Sequence, residues 1–89
     1  MADSDYWYTY MVRCNDRSLY SGIAKDPEKR LREHNTGKNG ARYTRSRRPV
    51  QLVYQEKFTS RSAAARREYQ LKQMSRAMKQ KLMQDYLSS

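Results

Sequence analysis

Glu68 stands among the apolar positions of a stretch with helical spacing, sharing a face with Ala64 and Ala65 before it and Leu71 after it. A carboxylate in such a place is paired, snorkels at the border of the core, or holds a cation. Lys72, four residues on, offers the ion pair, and a bound cation is the chemical alternative. Arg30 and His34 are likewise four apart, so they project from one side of a helix beside Leu31. A guanidinium next to an imidazole can bind a phosphate and relay a proton; the plain alternative is an exposed basic face. Further along, Arg42, Arg45, Arg47 and Arg48 surround Tyr43 in a segment that begins at Lys38. That is a basic cluster with a ring able to stack on a base, or else a patch of solvated charge. No phosphate-binding glycine loop and no Ser-His-Asp set is present, so nucleotide hydrolysis and serine chemistry have no support.

These side chains need elements to hold them. Tyr6 to Cys14 is rich in aromatic and β-branched residues and reads as a strand, with Tyr6, Tyr8, Tyr10 and Val12 on one face and Trp7, Thr9 and Met11 on the other. Asn15 to Ser18 supply a turn, and Leu19 to Ile23 return as a second strand. Tyr10 and Tyr20 share a face of this hairpin if the register sets Tyr10 opposite Gly22; a slip of one residue separates them. Asp26-Pro27-Glu28 starts a helix that runs to about Asn35, because Asp caps free N–H groups and proline at the first helical position loses no hydrogen bond. Lys38 to Pro49 reads as a loop. Val50 to Phe58 is a third strand, with Val50, Leu52 and Tyr54 alternating onto one face. Thr59 or Ser60 caps a helix through about Met74, and Ser75 restarts another in which Met78, Leu82 and Tyr86 recur at spacing four. The order ββαβαα predicts an α+β fold, a small antiparallel sheet with helices packed on it.

The chain of 89 residues is long enough for one domain, here 6–86, with residues 1–5 expected to be frayed. Val, Ile, Leu and Phe number only 11, so the core is expected to be largely aromatic, drawn from eight Tyr and one Trp. Nineteen basic against nine acidic residues give a net charge of +10, which makes a polyanion the default partner. Twelve of the basic residues are arginine, whose planar fork suits phosphate, and no amphipathic helix with large exposed apolar residues speaks for a membrane. A lone Cys14 and a lone His34 build neither a disulfide framework nor a structural zinc site. With no apolar run of membrane-spanning length and no signal-like N-terminus, a cytoplasmic location is expected.

Taken together, Tyr8-Thr9-Tyr10, then Tyr20-Ser21-Gly22, then Arg30, His34 and Glu68 resemble the GIY-YIG nuclease domain over about residues 6 to 83. The likeness is greatest to its small stand-alone bacterial members, through Leu19 to Ile23, Arg30 to Asn35, Arg42 to Arg45 and Arg66 to Glu68. Tyr8 and Thr9 replace the first glycine and isoleucine of the name motif, and Ser21 its second isoleucine. The resemblance implies a three-stranded antiparallel sheet flanked by three helices. It also implies that Glu68 holds one divalent metal, magnesium or manganese, and that Arg30 binds the scissile phosphate. Tyr10 and Tyr20 would position or deprotonate the attacking water, with Tyr10 the preferred base and His34 relaying its proton. The expected activity is metal-dependent hydrolysis of DNA phosphodiester bonds, in repair or recombination of structured DNA. The rival is a nucleic-acid-binding module of the same fold that cleaves weakly or not at all; RNA and a protein partner stay open. On the nuclease reading Tyr10, Tyr20, Arg30, His34 and Glu68 converge on one concave surface.

Overall fold

In a computed structural model that describes residues 6–36 and 42–89, the chain forms β1 (Trp7–Arg13), β2 (Leu19–Ala24), α1 (Pro27–Thr36), a single helical turn α2 (Arg42–Arg45), β3 (Gln51–Phe58), α3 (Arg61–Gln73) and α4 (Arg76–Ser88). The strands make one antiparallel sheet in the order β2-β1-β3. This is the expected α+β fold, with α2 added inside the segment read as a loop. Lys38 and residues 1–5 lie outside the described residues.

Each long helix begins where its side chains permit. Asp26 Oδ1 accepts from the Lys29 N–H at the start of α1, Ser60 Oγ from the Ala63 N–H at α3, and Ser75 Oγ from the Met78 N–H at α4. The central strand β1 is covered on both faces. Met11 packs with Val53, Tyr54, Leu71 and Met83 under α3 and α4, while Tyr10, Val12, Cys14 and Val50 form a second cluster on which Tyr20, Leu31 and Leu52 pack. The alternation expected along β1 is thus observed, and α1 and α3 lie on opposite sides of the sheet.

Three expectations are corrected. Tyr54 does not share a face with Val50 and Leu52, because the β1–β3 register shifts between Met11 and Val12: Met11 pairs with Tyr54 but Val12 with Leu52. The extra residue, Val53, makes a bulge that turns Tyr54 into the other cluster. On α4, Met78 is exposed and Met83 takes the buried place, beside Leu82 and Tyr86. The core is also less aromatic than the composition predicts. Its largest fully buried side chains, among the described residues, are Met11, Val12, Val53 and Leu71 together with three polar ones, Thr9, His34 and Thr44, whereas Trp7 is only half-buried beneath Lys25 and Arg61. Tyr and Trp have polar ends that keep much of this surface wet, so methyl-bearing side chains and a few satisfied polar groups fill the interior.

Candidate active site

The hairpin pairs Tyr10 with Gly22 and Val12 with Tyr20, so both tyrosines stand on the α1 face. The Tyr10 ring lies across Gly22: a Cβ at that position would come 2.6 Å from the phenol oxygen. Glycine is required here by close approach of a side chain, a packing reason for the motif's last residue. Leu31 seats α1 on the same cluster, and its neighbour Arg30 and, about a turn further on, His34 stand towards Tyr10.

His34 is wholly buried, with Nε2 3.0 Å from the Tyr10 hydroxyl and Nδ1 2.9 Å from Thr44 Oγ1. The Arg30 guanidinium stands near the Tyr10 hydroxyl and favours its ionised form. A guanidinium only donates, which leaves the phenol oxygen as its acceptor; with the phenol hydrogen turned to Nε2, Nδ1 carries the ring proton and donates it to Thr44 Oγ1, and in the other tautomer both directions reverse. Arg30 is further held by Glu33 at 2.9 Å, and the Arg48 Nε–H donates to the His34 carbonyl at 2.6 Å.

Burial, with the nearby Arg30 and Arg48 charges, pushes the His34 pKa down to about 4 against an opposing pull from Glu33. The imidazole is therefore neutral at pH 7. Tyr10 moves the other way, to about 12, chiefly by burial and partly through the charges of Tyr20 and Glu68, while Arg30 lowers it. At rest the shared proton belongs to Tyr10.

Tyr20 sets its ring edge against His34, with centroids 5.6 Å apart, and stacks on Tyr43 at 5.6 Å. Arg47 lies over Tyr43 at 4.0 Å and pairs with Asp16 at 3.0 Å. Of the basic cluster, Arg47 and Arg48 are thus engaged in fixing the wall of the site, and Tyr43 already has a ring and a guanidinium on it. Arg42 and Arg45 are exposed.

Glu68 comes from the other side of the sheet. Two bonds fix α3: the Thr9 hydroxyl donates to the Ala64 carbonyl at 2.7 Å, and Arg67 pairs with Glu56 at 3.0 Å. So placed, Glu68 is partly buried, meets Lys72 at 3.2 Å, and still acts on the Tyr10 hydroxyl through its charge. The structure therefore brings Tyr10, Tyr20, Arg30 and His34 together on the α1 face, so the convergence expected of five residues is seen for four, and Glu68, on α3 across the sheet, is linked to Tyr10 through its charge alone. Among the described residues no three His, Cys, Asp or Glu side chains gather as a metal cage. One partly exposed carboxylate nevertheless suits magnesium, which commonly takes one or two protein carboxylates and completes its shell with water and phosphate oxygens.

Thr44, Thr9 and Glu33 went unmarked in the sequence. Glu33 had a signal, its i,i+3 spacing from Arg30. Thr44 had only its place in the Arg42 to Arg45 segment, and Thr9 only its inward parity on β1.

The chain has relatives among known proteins. Residues 6–81 match the model of the GIY-YIG catalytic domain, so the chain belongs to that family of nucleases. It is 56% identical over 81 residues to a UPF0213 protein of Staphylococcus saprophyticus, covering 91% of this chain and 98% of that one. A UPF0213 protein of Haloquadratum walsbyi is 52% identical over 82 residues, covering 92% and 91%. Among solved structures, protein EF2693 of E. faecalis shares 38% identity at a TM-score of 0.63, over 100% of this chain and 94% of that one. The UPF0213 protein BH0048 of Bacillus halodurans shares 39% at 0.56, over 89% and 83%. No helix among the described residues is long and apolar enough to cross a membrane.

Proposed function

We propose that the protein is a divalent-metal-dependent endonuclease that hydrolyses DNA phosphodiester bonds, with Tyr10, Tyr20, Arg30, His34 and Glu68 as its site. The observation that carries the reading is the Tyr10 hydroxyl, bonded to a buried imidazole at 3.0 Å within the electrostatic reach of a guanidinium. A phosphodiester placed against Arg30 gains a cation at its non-bridging oxygens, where negative charge grows in the transition state. Tyr10 takes a proton from the attacking water while passing its own to His34 Nε2. Unassisted, a phenol held near 12 is a poor donor to an imidazole held near 4. An anionic phosphate beside Arg30 offsets one of the charges that keep His34 neutral, so substrate itself favours the transfer. Tyr20, edge-on to His34, keeps the imidazole plane aligned. Glu68 would hold the divalent ion, magnesium or manganese, which supplies Lewis-acid stabilisation of the phosphoryl oxygens.

One observation favours a nucleic-acid-binding module instead: Lys72 satisfies Glu68 without any metal. Magnesium-dependent nicking of plasmid by wild type and by Glu68→Gln, purified in parallel, decides between the two. The nuclease reading expects cleavage to fall by orders of magnitude in the variant, since about 1.4 kcal/mol of lost stabilisation is already tenfold. Equal nicking by both proteins would remove Glu68 from the chemistry and leave the binding module.

A further inference from the structure

At the turn end of the sheet, away from Tyr10, the β1–β2 turn, the start of β3 and α4 enclose a cleft of about 500 Å³. Its polar lining is three guanidiniums, Arg13, Arg17 and Arg76, and three carboxamides, Asn15, Gln51 and Gln80, with Leu19 and Met83 among its apolar residues. Among the described residues no carboxylate lines it. Elsewhere Arg30, Arg47 and Arg67 each pair with an acid, but among the described residues none of the three cleft arginines does. Two are held in place by neutral oxygens: Arg13 donates to Gln51 Oε1 at 3.0 Å and Arg76 to the Arg17 carbonyl at 2.9 Å. Each guanidinium has five N–H donors, so donors remain for a ligand. Three cations around one cavity repel one another, and an anion relieves that repulsion.

Arg17 adds a second observation. It adopts φ 70°, the left-handed region, where a side chain crowds the backbone and glycine or asparagine is usual. The turn needs that conformation, since the Arg17 N–H bonds the Cys14 carbonyl and the Cys14 N–H the Ser18 carbonyl. Backbone geometry alone would choose glycine; the side chain present is a cation aimed at an uncompensated cleft. The same turn is fastened to the basic segment beside the candidate site, through the Asn15 N–H to the Arg47 carbonyl and the Asp16–Arg47 pair. Along β1, Arg13 lies three residues from Tyr10, about 10 Å at the usual strand rise, but on the α3–α4 face, so a backbone running from Arg30 to the cleft passes round the turn end of the sheet.

We infer that this cleft is a second phosphate-binding site, which holds the nucleic-acid backbone beyond the position where Arg30 acts. The inference rests on the proposed reading for its ligand, but its test does not use cleavage. Binding of the full chain is measured by fluorescence anisotropy without divalent metal, on a short and a long duplex over a series of salt concentrations. Wild type is compared with Arg17→Gly, Arg76→Gln and the double variant. Arg17→Gly relieves the strained backbone as it removes the charge, so its thermal stability is expected to hold or rise, and lost binding cannot be blamed on unfolding. On the long duplex each lost contact is expected to make the log K against log salt slope shallower by about 0.9, and the double variant by about 1.8. A duplex too short to reach from the candidate site to the cleft is expected to show little change. An unchanged slope on the long duplex overturns the inference. So does a cleft that responds in NMR titration to inorganic phosphate while the long duplex leaves it undisturbed, which would make it a site for a free anion. Cleavage lost in Glu68→Gln bears on the proposed function alone, and a protein that never nicks DNA yet shows the slope change keeps the cleft.

Discussion

The Tyr10 hydroxyl and His34 Nε2 lie 3.0 Å apart in the interior, joining the central strand to the first helix by a single proton. Tyr10→Phe removes that proton and leaves a buried imidazole nitrogen without its donor. The expected cost is about 1–3 kcal/mol in urea unfolding. On the proposed mechanism, single-turnover nicking is lost while metal-free DNA binding stays near wild type. A variant that nicks as wild type does would show that water is activated elsewhere.

Thr44 sets the imidazole from its far side. Thr44→Val keeps the shape but removes the acceptor for Nδ1–H, whereas Thr44→Ser keeps the hydroxyl. The valine variant should lose about 1–3 kcal/mol, and the ring proton should no longer be fixed on Nδ1. Serine should restore the tautomer, read from the imidazole nitrogen chemical shifts by NMR. Loss of stability in both variants, with the tautomer unchanged in each, would make Thr44 a packing residue only.

His34 gives stability a defined pH dependence. Its folded pKa is depressed to about 4 from the ordinary 6.5, so the unfolded chain binds the extra proton between these values. Its contribution is complete above about pH 6.5 and lost as pH falls toward 4, on the order of 3 kcal/mol in all. His34→Gln should flatten that part of the stability curve relative to wild type, leaving the slope due to carboxylates. Parallel curves for the two proteins between pH 4 and 6.5 would contradict the assignment.

Gly22 is held by its neighbour. In Gly22→Ala the new methyl meets the Tyr10 hydroxyl at 2.6 Å, and that ring is itself only 2% exposed and cannot swing away freely. Overpacking of this kind costs about 1–3 kcal/mol. The variant should melt lower and should also lose the Tyr10–His34 contact, visible as a shift of the imidazole resonances. A methyl accepted with both unchanged would mean that the hairpin opens to admit it.

Local chemistry reached far in this chain. The strand alternation, the caps Asp26 and Ser75, a third cap narrowed to Thr59 or Ser60, and the ββαβαα order follow from side-chain period and from which residues satisfy free N–H groups, so they are visible residue by residue. The hairpin register was open between two faces until the pairing of Tyr10 with Gly22 closed it, and the turn that sets it carries an arginine where glycine would have been the signal.

What the sequence determined by itself was a basic α+β chain, with family motifs that named Tyr10, Tyr20, Arg30, His34 and Glu68 as candidates. Only the tertiary structure decided what surrounds them. Burial made His34 neutral rather than a member of an exposed basic face, and Thr44 became its partner from ten residues away. The bulge at Val53 sent Tyr54 to the opposite cluster from Leu52. Glu68 kept the ion pair its helix offers and still acts on Tyr10 from the far side of the sheet. Each of these depends on contacts between elements distant in sequence, and burial and electrostatic field are properties of that assembly, which spacing along one element does not carry.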